Sequence, residues 1–148
     1  MIETTRLMRA EFNRRVQPLG LTQAQWRALA KLSRDGALRQ SQLAEELEIK
    51  PMTVTRLVDR MEESGLVERR NDPDDRRAQR LHLTERAMPI IEELWRQADC
   101  LTAEILEGVS DDERAALVAV LERIKKNLNA PGTLAALPSD GPAADEVN

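Results

Sequence analysis

The sequence predicts a mostly α-helical fold carrying one small β-hairpin. Three observations point there. Aromatic residues make up only 2% of the chain, and Phe12, Trp26 and Trp95 are all of them. Leu, Ile, Val, Met and Ala must therefore fill the core, which suits helix-on-helix packing. Apolar residues recur at helical spacing through most of the chain, and only between Leu66 and Leu83 does the period drop to two, on either side of the turn cluster Asn71-Asp72-Pro73-Asp74-Asp75. At 148 residues the chain fits one domain, or one small domain with appended helices, and needs no covalent staple.

Each element follows from local signals. Met8, Phe12 and Val16 share one face of a helix over Thr5–Val16, which ends at Pro18-Leu19-Gly20. Thr22 and Gln25 form a capping box opening a second helix to about Ser33, with Trp26, Leu29, Ala30 and Leu32 apolar. After the turn at Asp35-Gly36 come two short amphipathic helices. Gln40–Leu47 presents Leu43, Ala44 and Leu47, and Lys50–Ser64 presents Val54, Leu57, Val58 and Met61. Glu48-Ile49-Lys50 joins them, Pro51 suits a first turn and Gly65 is a stop, so the pair reads as a helix-turn-helix.

Leu66–Arg70 and Arg80–Leu83 then read as two strands of a hairpin with an arginine-rich tip, a wing. Thr84 is placed to cap a helix over Glu85–Glu107, roughly 35 Å long at 1.5 Å per residue, with Ile91, Leu94, Trp95, Ala98, Leu101 and Ile105 as its apolar stripe. Pro89 lies late for a first-turn proline, so a local bend is expected there. Gly108 ends this helix, and Ser110-Asp111-Asp112-Glu113 opens a last one carrying Leu117, Leu121, Ile124 and Leu128. From Ala130 onward Pro, Gly, Ala, Ser and Asp dominate, the composition of a flexible tail.

Composition excludes several classes. The single Cys100 permits no intramolecular disulfide and suits a reducing compartment. No run reaches the roughly 20 apolar residues of a membrane span, and the start lacks a signal-peptide core, so a cytoplasmic protein without a membrane partner is expected. One His and one Cys cannot build a tetrahedral zinc site without a carboxylate cluster, and none occurs; His82 is expected on the outward side of a wing strand. No Gly-rich phosphate loop exists, and no nucleophile has a base partner. Neither metal, cofactor nor enzymatic activity is expected.

The net charge of -4 is the wrong sign for the usual nucleic-acid binder. Between Lys50 and Arg80, however, eight bases face seven acids, whereas the tail after Ala130 holds three acids and no base. A local basic face is compatible with that distribution. On the Lys50–Ser64 helix, the side opposite the apolar stripe carries Met52, Arg56, Asp59, Arg60 and Glu63, with Thr53 and Thr55 on its flanks. Two arginines one turn apart suit a DNA major groove, where Arg reaches guanine O6 and N7 and Thr reaches phosphate or a thymine methyl. A solvated face with local ion pairs explains the same pattern equally well. The hairpin tip Asp75-Arg76-Arg77 has no packing role, and arginine suits a narrow minor groove with an adjacent Asp to steady it.

The run from Asp75-Arg76-Arg77 to Leu83-Thr84 resembles the D-x-R-x5-L-T wing signature of the MarR family of bacterial regulators. Leu21–Trp26, Gln42–Glu45, Val54–Arg60 and Glu63–Val67 look like that family's successive elements in order. Leu83–Pro89 and Ala103–Gly108 look closest to its SlyA-like branch. The likeness spans about Thr5 to Leu128, and Ala87 departs from it, standing where much of the family has Gly. It implies a winged helix-turn-helix homodimer on double-stranded DNA. Thr53, Thr55, Arg56 and Arg60 would face the major groove, Arg77 held by Asp75 would enter the minor groove, and Arg76 would follow the backbone.

By the same resemblance, residues 1–20 and 85–129 would form the dimerisation layer, 21–84 the DNA-binding domain and 130–148 the tail. The apolar stripes of the outer helices, too long for one small domain to cover, agree. The resemblance also implies a small phenolic or aromatic-acid effector near Arg6, Arg9 and Trp26; the plainer reading, which the sequence favours, makes Trp26 core and the arginines surface. Cys100 is expected to be a buried structural residue, because acidic neighbours disfavour a thiolate. The alternative to a DNA-binding repressor or activator is a helical protein-interaction module, which would leave the arginine hairpin without a role.

Overall fold

A computed structural model describes residues 2–75 and 77–129. Their element order is α1 (Ile2–Val16), α2 (Gln23–Asp35), β1 (Leu38–Arg39), α3 (Gln40–Leu47), α4 (Pro51–Glu63), β2 (Val67–Asn71), β3 (Gln79–Leu83), α5 (Met88–Ile105) and α6 (Asp111–Leu128), with 3-10 turns over Gln17–Leu19 and Glu85–Ala87. The fold is mostly helical with a small antiparallel sheet, as the periodicity predicts. The chain divides into two compact units, one ending at Ile105 and the other beginning at Leu106.

In the first unit, the buried faces of α2, α3 and α4 meet in one core. Leu29, Leu43, Val54, Val58 and Met61 are essentially inaccessible to water, and Val67, Leu81, Ile91 and Leu94 close the core from the sheet and α5. The capping box at α2 forms as its spacing predicts: Gln25 donates its backbone N–H to the Thr22 hydroxyl, and the Thr22 N–H donates to Gln25 Oε1 at 2.9 Å. Between α3 and α4 the chain turns through Glu48, whose φ of +56° is left-handed although it is not glycine. The turn is held by the Ile49 N–H donating to the Ala44 carbonyl. After α4, Gly65 takes φ +69° and the Leu66 N–H returns to the Met61 carbonyl at 2.8 Å, which aims the chain into β2.

Four features differ from the sequence expectation. The sheet has three strands in the order β1-β3-β2, because Leu38 and Arg39 pair with Leu81 and Arg80. A two-residue strand leaves no periodicity to detect. Thr84 does not cap the following helix; its hydroxyl donates to the Gly65 carbonyl at 2.6 Å, tying the end of the wing to the end of α4. The long helix starts with a 3-10 turn in which Ala87 is fully buried, and α5 proper begins at Met88. Pro89 therefore sits in the first turn, where its missing N–H has no intrahelical acceptor to lose. Cys100 is exposed rather than buried, on the side of α5 shared with Arg96 and Asp99, away from Ile91, Leu94 and Leu101.

α1 is joined to α5 through Arg15. Its guanidinium donates to Glu11 at 2.8 Å and to both carboxylate oxygens of Glu104 at 2.9 and 2.5 Å. The second unit contains α6, opened by the Ser110–Glu113 capping box. Its Leu117, Leu121, Ile124 and Leu128 are exposed in the single chain. Among the described residues, no helix is long and apolar enough to cross a membrane. The tail after Ala130 lies outside the described residues.

Candidate nucleic-acid interface

α4 presents the polar face that its sequence predicts. With Val54, Leu57, Val58 and Met61 buried, Met52, Thr53, Thr55, Arg56, Asp59, Arg60 and Glu63 are all exposed. Arg56 and Arg60 make no side-chain hydrogen bond or ion pair with any described residue, and neither does Thr53. Thr55 differs: its hydroxyl donates to the Pro51 carbonyl at 3.1 Å and accepts from Gln40 Nε2 at 2.8 Å. It is committed inside the protein and holds α3 to the first turn of α4.

Most arginines of the neighbouring wing are engaged. Arg69, on β2, bridges back to α4, donating to Asp59 at 2.5 Å and to Glu62. Its backbone N–H also donates to Glu62, and its guanidinium reaches Gln40 Oε1 at 3.5 Å. Burial opposes the charge of Arg69, but the bonds to Asp59 and Glu62 outweigh it and the pKa is raised. The acids on the exposed face of α4 are thus partly neutralised by the wing. Arg70 pairs with Glu68.

Asp72 is a residue that sequence reasoning placed only in a turn. It is 2% exposed, the one buried charged residue among those described. Its carboxylate accepts from Arg39 Nε on β1 at 2.8 Å, from Arg80 Nε on β3 at 2.9 Å and from the Asp74 N–H at 3.0 Å. Arg80 first, then the Asp74 N–H, and also Arg39 hold the Asp72 carboxyl well below the usual range against the opposing effect of burial. The loop end of the wing is thereby tied to β1, at the start of α3, by a carboxylate held between two guanidiniums. The signal in the sequence was an acid flanked by Pro at a strand end, which does not distinguish a buried anchor from a solvated turn.

At the wing tip, Asp75 Oδ1 accepts from the backbone N–H of Arg77 at 3.0 Å, while Asp75 Oδ2 lies 4.0 Å from Arg39. Asp75 therefore steadies the Arg77 backbone and leaves its exposed guanidinium without a described partner. Arg76 lies outside the described residues.

The effector residues separate. A cavity of about 430 Å³ in the first unit is lined by Arg9, Phe12, Trp26, Arg34 and Trp95 among others, but not by Arg6. Trp26 is half-buried, its ring edge-on to Phe12 at 4.8 Å and its Nε1 donating to Asn13 at 2.7 Å. Opposite, the Arg34 guanidinium stacks 4.7 Å from the centroid of Trp95. Two indoles, an arginine over one of them and an exposed Arg9 offer stacking and charge to a small anionic ring compound.

Two helices in a tight joint, the second exposing two arginines without a described partner, followed by an anchored hairpin, define a winged helix-turn-helix protein. Comparison with known proteins narrows that class. Residues 21–78 match the model of the MarR family. A solved structure described as transcriptional regulator PA3341 is 37% identical, the alignment covering 86% of this chain and 93% of that one with a TM-score of 0.78. A MarR-family transcriptional regulator from Silicibacter pomeroyi is 26% identical over 86% of each chain, with a TM-score of 0.74. A mutant MarR from E. coli complexed with operator DNA is 26% identical over 81% of this chain and 86% of that one, with a TM-score of 0.68. The chain belongs to the MarR family.

Proposed function

We propose that this protein is a cytoplasmic transcription regulator and not an enzyme, binding a pseudo-palindromic DNA operator as a homodimer. The observation that carries the reading is the division among the arginines of α4 and the wing. Arg69, Arg70 and Arg80 are paired with acids, while Arg56, Arg60 and Arg77 point free of any described partner. An exposed cationic set next to a firmly paired one suits a ligand of regular negative charge. Thr53, Arg56 and Arg60 enter the major groove, Arg77 the minor groove, and Arg76 follows the backbone. Thr55 and Asp75 act as supports, one holding the start of α4 and the other the wing tip. The DNA contacts fall within 21–84, and 1–20 with 85–129 supply the dimer through apolar side chains exposed on α1 and α6, Leu7, Met8, Leu121 and Ile124 among them.

Within the family we infer a place in the SlyA-like branch from the resemblance of Leu83–Pro89 and Ala103–Gly108, and a small aromatic acid is the proposed releasing ligand. The cavity lined by Arg9, Trp26, Arg34 and Trp95 supports this second part; Arg6 would contribute only from outside it. A helical interaction module has no use for three exposed arginines without a described partner on α4 and the wing.

The decisive experiment is selection of bound duplexes from a random library by the wild type and by the Arg56→Ala,Arg77→Ala double variant. Enrichment by the wild type alone of a pseudo-palindrome with half-sites about one helical turn apart is the expected result. No enrichment by a folded dimer would refute the reading. Salicylate, used as the effector probe, should quench tryptophan fluorescence and release the enriched duplex; quenching without release would leave the cavity a binding site with no regulatory role.

A further inference from the structure

Among the described residues of the first unit, the exposed large hydrophobic side chains are Leu7, Met8, Met52, Met88 and Ile105. Four of them belong to α1 or to the ends of α5. Met52 alone stands in the helix-turn-helix, and at 71% it is the most exposed of the set. It occupies the second position of α4, after Pro51, and has no packing role there. At about 100° per residue it lies roughly 180° from the buried Met61 and within about 40° of Arg56, Asp59 and Glu63. An apolar side chain thus sits on the exposed polar face of α4, one turn before Arg56.

The chemistry of a major groove gives such a side chain one apolar target. Every base edge there offers hydrogen-bond donors or acceptors, and only thymine adds a methyl group at C5. A thioether on three rotatable bonds has no donor to offer a phosphate or a base oxygen, but it adapts its shape to a small apolar projection. We propose that Met52 is a specificity-determining residue that packs on the C5-methyl of a thymine, outward of the base contacted by Arg56. The proposal rests on the reading of α4 as the element that enters the major groove.

The test uses the duplex enriched by the full-length wild type, with each thymine of the half-site replaced in turn by deoxyuridine, which removes only the methyl. Affinities are compared for the wild type, Met52→Ala and Met52→Leu. At one thymine the wild type should lose roughly fourfold per half-site, the value of one buried methyl. Met52→Leu should keep that discrimination and Met52→Ala should lose it, with thermal midpoints unchanged because the residue is exposed. Equal thymine-to-deoxyuridine ratios for wild type and Met52→Ala at every position would overturn this inference alone, and so would an enriched half-site with no methyl-sensitive thymine. A wild type that enriches no duplex would overturn the DNA-binding reading and this inference with it.

Discussion

Replacing Arg56 by Ala removes a guanidinium that forms no bond within the described protein, so its effect on folding and its effect on DNA should separate cleanly. Arg56 is exposed on α4 and faces away from the core residues Leu57 and Val58. An exposed substitution of this kind should move stability by no more than about 0.5 kcal/mol. One bidentate Arg–guanine contact is worth roughly 1–3 kcal/mol of discrimination. A two-fold dimer makes the contact in both half-sites, and distant sites add, so the loss per operator is about 2–6 kcal/mol. At tenfold per 1.4 kcal/mol, the smallest expected rise in Kd is roughly thirtyfold. Fluorescence anisotropy with the enriched duplex measures that rise, and the slope of log Kd against log salt separates base from phosphate contacts. A base contact leaves the slope nearly unchanged, whereas loss of one phosphate contact per half-site lowers its magnitude by about two. A rise below twofold with an intact thermal midpoint would refute the placement of Arg56 in the groove.

Three further outcomes are expected. Asp72→Asn leaves Arg39 and Arg80 facing each other without the buried charge between them; the thermal midpoint and the DNA affinity should both fall, and an unchanged midpoint would show that the anchor is dispensable. Glu48→Gly relieves the left-handed φ of +56° at the joint and should stabilise the protein by about 0.5–1 kcal/mol, the strain relieved less the entropy of a freer unfolded chain; destabilisation in chemical denaturation would contradict it. Glu11, bonded first to Arg14 and then to Arg15, and Glu93, bonded first to Arg96 and then to Gln97, are both lowered from 4.5 to about 2. Their contribution is complete above about pH 4.5 and is lost as pH falls toward 2, so the thermal midpoint should drop across that window. A midpoint flat down to pH 2 would remove these pairs from the account.

Arg77→Ala bears on the wing. It should weaken binding and leave the dimer intact; dissociation to monomers, read by sedimentation, would mean that the hairpin belongs to the subunit interface.

What the sequence determined by itself is what neighbours along the chain decide. The apolar spacing of Val54, Leu57, Val58 and Met61 sets both the buried and the exposed side of α4, because the helical period links them without reference to the rest of the fold. The capping boxes at Thr22 and Ser110 follow from partners three residues away. The exposed positions of Thr53, Arg56 and Arg60 were legible for the same reason. Only the tertiary structure could decide which polar groups are already taken. Arg39, Asp72 and Arg80 meet only when β1 pairs with β3, and β1 is too short to leave a pattern. Arg69 finds Asp59 and Glu62 only when the wing folds back on α4, and Thr84 finds the Gly65 carbonyl across 19 residues. Cys100 lies one position from buried Leu101, and the packing of α5 turned it outward. Charged groups pair through space at distances that no local pattern encodes, so the sequence showed where the arginines stand, and the fold determined which of them remain free to bind.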